Sequence, residues 1–337
     1  MTEKENFMMT IHGETPAWVP RYTYGKDPYS PVPDACAQIG PSFLSARRTP
    51  EGGFNIFGVE FIATAETGNQ SLPKPGQFIL DDITKWRDVI KCPDISDIDW
   101  EMMARKDFDK LGCDRTQSAV RMLTHVGYFQ NLMNFMGFNE GLVAMHTEPE
   151  EVLALFEYLS DFYVEVAKKS VYYYKPDILD VTDDTATATN PFISPAMYRE
   201  LVKPFHAKLA QVGTDAGIPV DMHNCGRCED FIDDWLDFNI CAWNPAQVSN
   251  DLKGIKAKYG NKLVICGGWD SQGPAGWPNA TEETVRQAVR DCIDNYAEGG
   301  GFCFVGSAYG VLGDPAVEDK RRWITEEYMA YRETPYK

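Results

Sequence analysis

Nowhere does this 337-residue chain hold the roughly 18 uninterrupted apolar residues that a membrane helix requires, which argues against a helical membrane protein. No apolar run stands behind the charged start Met1-Thr2-Glu3-Lys4-Glu5-Asn6, so no export signal is expected and the expected compartment is cytoplasmic. Basic residues are scarce: 32 Lys and Arg stand against 50 Asp and Glu, a net charge of −18. That balance argues against nucleic acid and against anionic membranes as partners. The nine cysteines, an odd and scattered number, spell no small disulfide framework and read as reduced thiols. No Gly-x-Gly-x-x-Gly follows the first clear strand, so a dinucleotide fold has no support.

What is present, from about residue 117 on, is an alternation of short apolar runs with long amphipathic ones. Strands are expected at 118–125, 178–183, 220–225, 240–244, 262–266 and 302–305. Between them, helices are expected at about 129–145, from 149, 194–216, 228–238, 249–259 and 281–297, with a last one to about 332. Thr147-Glu148-Pro149-Glu150 reads as a capping box, and Ser194-Pro195 and Asp314-Pro315 as caps. Repeated strand–helix units without hairpin signals imply a parallel sheet, and this many favour an α/β fold closed as a (β/α)8 TIM barrel. The Pro- and Gly-rich start differs, with a hairpin-like alternation over Gly53–Ile62. The expectation is one domain over 1–337, with 1–95 as an N-terminal capping segment and about 96–337 as the main barrel.

Chemistry is built at the carboxyl ends of barrel strands, and polar groups gather there. They are His125, Asp183, Asp184, His223, Cys225, Asn244, Asp270, Ser307 and Tyr309. In Val220-Asp221-Met222-His223-Asn224-Cys225-Gly226, the imidazole and the thiol sit two residues apart and project to one side of a strand. Imidazole with soft sulfur suits zinc. A third ligand is then needed: Cys303 on the last strand, with Cys266 as its competitor. Each residue also has a plainer role. An Asp-Asp pair often caps a helix, Asp270 suits capping the turn at Ser271, and a lone His125 suits a hydrogen-bonded core. Tyr22, Tyr24, Trp243, Trp269 and Tyr309 are candidates to sandwich an aromatic ring, and are equally at home in core packing.

The chain resembles the uroporphyrinogen decarboxylase superfamily in its corrinoid-dependent methyltransferase branch. The resemblance spans about residues 80 to 320. It rests on Gly137-Phe138-Asn139-Glu140, Pro149-Glu150-Glu151-Val152, Asp183-Asp184, Ile193-Ser194-Pro195-Ala196-Met197-Tyr198, His223-Asn224-Cys225-Gly226, Asp251-Leu252-Lys253, Gly267-Gly268-Trp269-Asp270 and Gly299-Gly300-Gly301-Phe302. The decarboxylase itself holds an octa-acid substrate with an N-terminal arginine cluster. The matching Pro16–Tyr24 stretch has Arg21 alone, so decarboxylation is an outside option. The resemblance implies methyl transfer between a small molecule and the cobalt of a corrinoid (methylcobalamin) carried by a partner corrinoid protein. Thiol-methylating members bind zinc through His-x-Cys and a later Cys near a Pro-Gly-Cys-Gly turn. Here that stretch reads Val305-Gly306-Ser307-Ala308-Tyr309-Gly310, and Cys303 comes a few residues early.

The reading is therefore O-demethylation of a methoxylated aromatic. His223, Asp184 and Asp270 are the catalytic candidates; His125, Asp183, Tyr22, Trp269 and Tyr309 would bind substrate; His223, Cys225 and Cys303 would hold zinc. The alternatives are a zinc-dependent thiol methyltransferase and a non-catalytic corrinoid-protein binder. A homodimer is entertained as the assembly.

Overall fold

Short, mostly apolar runs form buried parallel strands in this computed structural model, which describes residues 1–64, 71–124, 127–311 and 313–336. The strands are β1 (Cys36–Ile39), β2 (Ala119–Met122), β3 (Ile178–Thr182), β4 (Val220–His223), β5 (Ile240–Ala246), β6 (Val264–Gly267) and β7 (Phe302–Phe304). They pair in chain order, all parallel, in one seven-stranded sheet that curls into a half-barrel. Beyond β7, one further parallel bridge joins Arg21 to Phe304, through Phe304 N–H to Pro20 O (2.8 Å) and Tyr22 N–H to Phe304 O (2.9 Å). The expected eightfold barrel is thus seen as seven strands and a bridge among the described residues. The parallel sheet also begins inside the stretch expected to act as a cap, since β1 lies at 36–39.

Helices cover the convex face. That face is strongly apolar: Val120, Met122, Leu179, Val181, Met222 and Trp243 are all buried against them in the main core. Each helix position follows from local chemistry. Gly137, with φ +85°, breaks what reads as one helix into Tyr128–Met136 and Phe138–Thr147. Ser194 accepts Met197 N–H and Asp314 accepts Ala316 N–H, as caps should. The capping box at 147–150 does not form. The preceding helix runs through Thr147, whose hydroxyl donates back to Val143 O (3.1 Å), and Glu148 takes the N-cap of Pro149–Tyr174 with no side-chain bond. The hairpin over 53–62 does form, within a small antiparallel sheet of Arg48–Thr49, Gly52–Phe54, Glu60–Ile62 and Leu72–Pro73.

The concave face carries a different population. Small residues (Ala119, Ala242, Cys266, Cys303) pack around Phe7, Ile11 and Tyr22. Above them lie charges. Arg121 of β2, 1% exposed, pairs with Asp180 of β3 and with Asp221 of β4 (Nε to Oδ2, 2.6 Å). Burial favours the neutral form of Asp221 and lifts its carboxyl to about 7, against the opposing pull of Arg121. No helix among the described residues is long and apolar enough to cross a membrane.

Candidate metal centre and its cavity

β4 ends in His223, and the chain then turns sharply so that Cys225 comes back beneath the imidazole. Gly226 makes that turn, with φ +91°; a Cβ there would stand 2.5 Å from Ala186 O and 2.6 Å from Thr187 O. Gly226→Ala is therefore expected to cost about 2 to 3 kcal/mol and to displace Cys225, read as a lower Tm together with weaker zinc binding.

Two consecutive carboxylates follow β3, and they part company. Asp183, fully buried, accepts the N–H groups of Phe129 (2.9 Å) and Gln130 (3.0 Å) and faces His206 Nε2 at 3.2 Å, so it anchors the helix Tyr128–Met136. Asp184 turns to the site. Its Oδ1 accepts the Cys225 N–H (2.8 Å) and its Oδ2 accepts Gln130 Nε2–H (2.8 Å).

The tautomer of His223 follows from its neighbours. Asn244 Nδ2 faces Asp221 Oδ2 (2.9 Å) and Met222 O (3.3 Å), and a backbone carbonyl only accepts, so the amide must point its NH2 there. Asn244 Oδ1 is then an acceptor towards His223 Nδ1 (2.8 Å) and the Tyr24 hydroxyl (3.2 Å). The proton of a neutral His223 sits on Nδ1, and the Nε2 lone pair points at Asp184 Oδ1 (3.9 Å) and Cys225 Sγ (3.8 Å). A hydrogen-bonded chain running from buried Arg121 through Asp221 and Asn244 thus aims one imidazole lone pair.

The donor atoms of Asp184, His223 and Cys225 lie within 4.8 Å of one another, the one such group among the described residues. Burial, and then the negative charge of Asp184, push the Cys225 thiol up, so its proton stays on sulfur until a cation displaces it. The thiol proton can bridge Cys225 Sγ to the His223 lone pair or to Asp184, and a cation that displaces it would meet all three donors at once. Nitrogen, sulfur and oxygen at this spacing suit zinc with one position left open. Asn244→Leu should weaken zinc binding about 10- to 100-fold by releasing the ring; a competitive chelator titration checks this, and unchanged affinity would mean that the amide does not set the ligand.

A cavity of about 330 Å³ opens beside these atoms, walled by Tyr24, His223, Cys225, Trp269, Ser307 and Tyr309. Tyr24 stands edge-on to the imidazole, with centroids 6.0 Å apart and planes at 87°. Trp269 is held by its indole N–H on Ser307 O (2.8 Å). Tyr309, 62% exposed, forms the outer rim.

Other candidates lie elsewhere. Asp270 Oδ1 accepts the N–H groups of Gln272 (3.0 Å) and Gly273 (2.9 Å), capping its own turn, and it lines a separate cavity with Tyr296. Cys303 stands in register with Cys266, both buried beside Cys36 on the concave face, and does not join His223 and Cys225. The third donor brought to the site is a carboxylate, Asp184. Tyr22 is buried beneath, its ring 5.4 Å from the Arg121 guanidinium, and Trp243 faces the convex core with its indole N–H on Asn224 O. His125 lies outside the described residues. The sequence reading missed Gln130 and Arg121. A charge in the middle of an otherwise buried strand was the available signal for Arg121, because such a charge must have partners.

Comparison with known proteins bears on this geometry. The family model described as Uroporphyrinogen decarboxylase (URO-D) matches residues 124–325. The methylated-thiol–coenzyme M methyltransferase of Methanosarcina mazei is 29% identical over 197 residues, covering 56% of this chain and 46% of that protein. The chain thus spans about half the length of that curated relative. A solved structure described as a methyltransferase from Methanosarcina mazei superposes with a TM-score of 0.64 over 100% of both chains. At 13% identity, that likeness shows the fold alone.

Proposed function

The chain belongs to the uroporphyrinogen decarboxylase (URO-D) family, and from that premise we propose that it is a zinc-assisted methyltransferase moving a methyl group from an aryl methyl ether to the cobalt of a corrinoid held by a partner protein. The observation that carries this reading is the convergence of Asp184, His223 and Cys225 beside an aromatic-walled cavity, with the His223 lone pair aimed by Asn244. Similarity to methyltransferases supports the reaction class.

Zinc, when bound, would supply a Lewis acid for the ether oxygen, whose departure as a phenolate is otherwise slow. The chain's residues do the rest. Asp184, His223 and Cys225 would hold the ion, and Gln130 and the Cys225 amide keep the Asp184 carboxylate in place. Tyr24, Trp269 and Tyr309 offer faces and edges to an aromatic ring, and the cavity matches a small ligand in size. The corrinoid would approach the methyl group from outside this cavity.

A second reading, methyl transfer involving a small thiol, is favoured by the name of the curated relative and by the thiol among the donors. One experiment separates the two. The zinc-loaded protein is mixed with a reduced corrinoid protein and either a methoxyarene or a methylated thiol. Release of a phenol supports the ether reading, and release of a thiol with no phenol from a broad ether panel replaces it. Chelation should stop whichever reaction occurs, and added zinc should restore it; transfer that persists at full rate in the chelated protein contradicts the metal role.

A further inference from the structure

We propose a second small-molecule site: the cleft between the small antiparallel sheet and the mouth of the curled sheet binds an anionic, largely apolar organic molecule. Its acid group would sit on Arg48 and Lys110. The cleft is the larger hollow, about 980 Å³ against about 330 Å³ beside His223. In a chain with 50 acidic residues, no Asp or Glu lines it among the described residues, whereas Arg48 and Lys110 both do. Its walls otherwise combine aromatic and aliphatic side chains, Phe43, Ile56, Phe57 and Phe61 among them, with uncharged polar ones such as Asn55 and Asn134.

The cations are placed for a ligand. The Arg48 guanidinium lies 3.9 Å from the centre of the Phe61 ring and donates to Ser71 Oγ (2.8 Å), while its buried Nε has no hydrogen bond among the described residues. Burial already weighs against its charge, a cost that a bound anion would offset. Asp107, one turn before Lys110 on the same helix, accepts the Ser42 N–H and the Tyr174 hydroxyl. A planar carboxylate fits such a guanidinium through paired hydrogen bonds. Gln130 lines the cleft, and its amide also donates to Asp184 of the donor group.

Binding is read with neither metal nor corrinoid partner, so this inference stands or falls apart from the methyl-transfer reading. The probes are biphenyl-carboxylate and its uncharged carboxamide, titrated calorimetrically into the full chain at low salt. The carboxylate should bind about tenfold more tightly than the amide. Arg48→Gln and Lys110→Gln should each erase most of that preference while leaving amide binding unchanged. Lys110 lies on an exposed helix face, so its variant keeps the test valid if Arg48→Gln disturbs the hairpin. Equal affinity for acid and amide, full carboxylate affinity in both variants, or no carboxylate binding at all overturns the proposal.

Discussion

His223→Ala is expected to lose tightly held zinc and to lower methyl transfer by about 100-fold or more, since removing a ligand withdraws several kcal/mol of transition-state stabilisation. The fold should survive, because His223 is a partly exposed side chain at the end of a strand, and buried Asn244 keeps its bonds to Asp221 and Met222 O when the ring is removed. Circular dichroism and Tm close to those of the parent, together with lost metal, separate a ligand from a structural residue. Retained stoichiometric zinc would place the metal elsewhere.

The second large effect lies beneath the site. Arg121→Met leaves Asp180 and Asp221 facing each other in a dry interior without their cation. Breaking a buried pair from one side typically costs about 3 to 5 kcal/mol. The loss should depend on pH. With the guanidinium gone, Asp221 loses the pull that opposes its burial and is held further above its unfolded value, so the folded state keeps a proton that the unfolded state has already released. Stability of the variant is then greatest below the unfolded carboxylate range and falls as pH rises through the raised folded value. Asp221 already sits near 7 with Arg121 present, so the decline should extend through neutrality. Urea denaturation at pH values about 5 and 8 tests the sign; a variant equally stable at both would mean that Asp180 and Asp221 do not face each other unpaired. Zinc affinity should fall as well, because Asp221 orients Asn244 and through it His223.

The strands from 178 onward were legible because each is a short apolar run closed by Gly or by a polar pair, and the caps at Ser194 and Asp314 followed from side-chain chemistry. β1 was not legible. Cys36-Ala37-Gln38-Ile39 is four residues long, with no alternation, in Pro-rich surroundings, and only pairing with β2 makes it a strand. The His223–Cys225 pair was legible from two-residue spacing, whereas the choice of the third donor was not. Asp184 enters through the turn after β3, where the Cys225 amide and Gln130 fix it, and no spacing rule encodes that. Cys303 belongs to the packed concave layer, where a buried thiol behaves as a small apolar side chain. Asp183 and Asp184 look alike in sequence, and only their tertiary partners separate anchor from donor: the first N–H groups of the helix Tyr128–Met136 for Asp183, the Cys225 amide for Asp184.

X-ray absorption at the zinc edge of the metal-loaded protein tests the central claim most directly. The account predicts one ion per chain, with a single sulfur at about 2.3 Å and the remaining donors nitrogen and oxygen. Two or more sulfurs, or no bound zinc, would contradict the assignment of Asp184, His223 and Cys225.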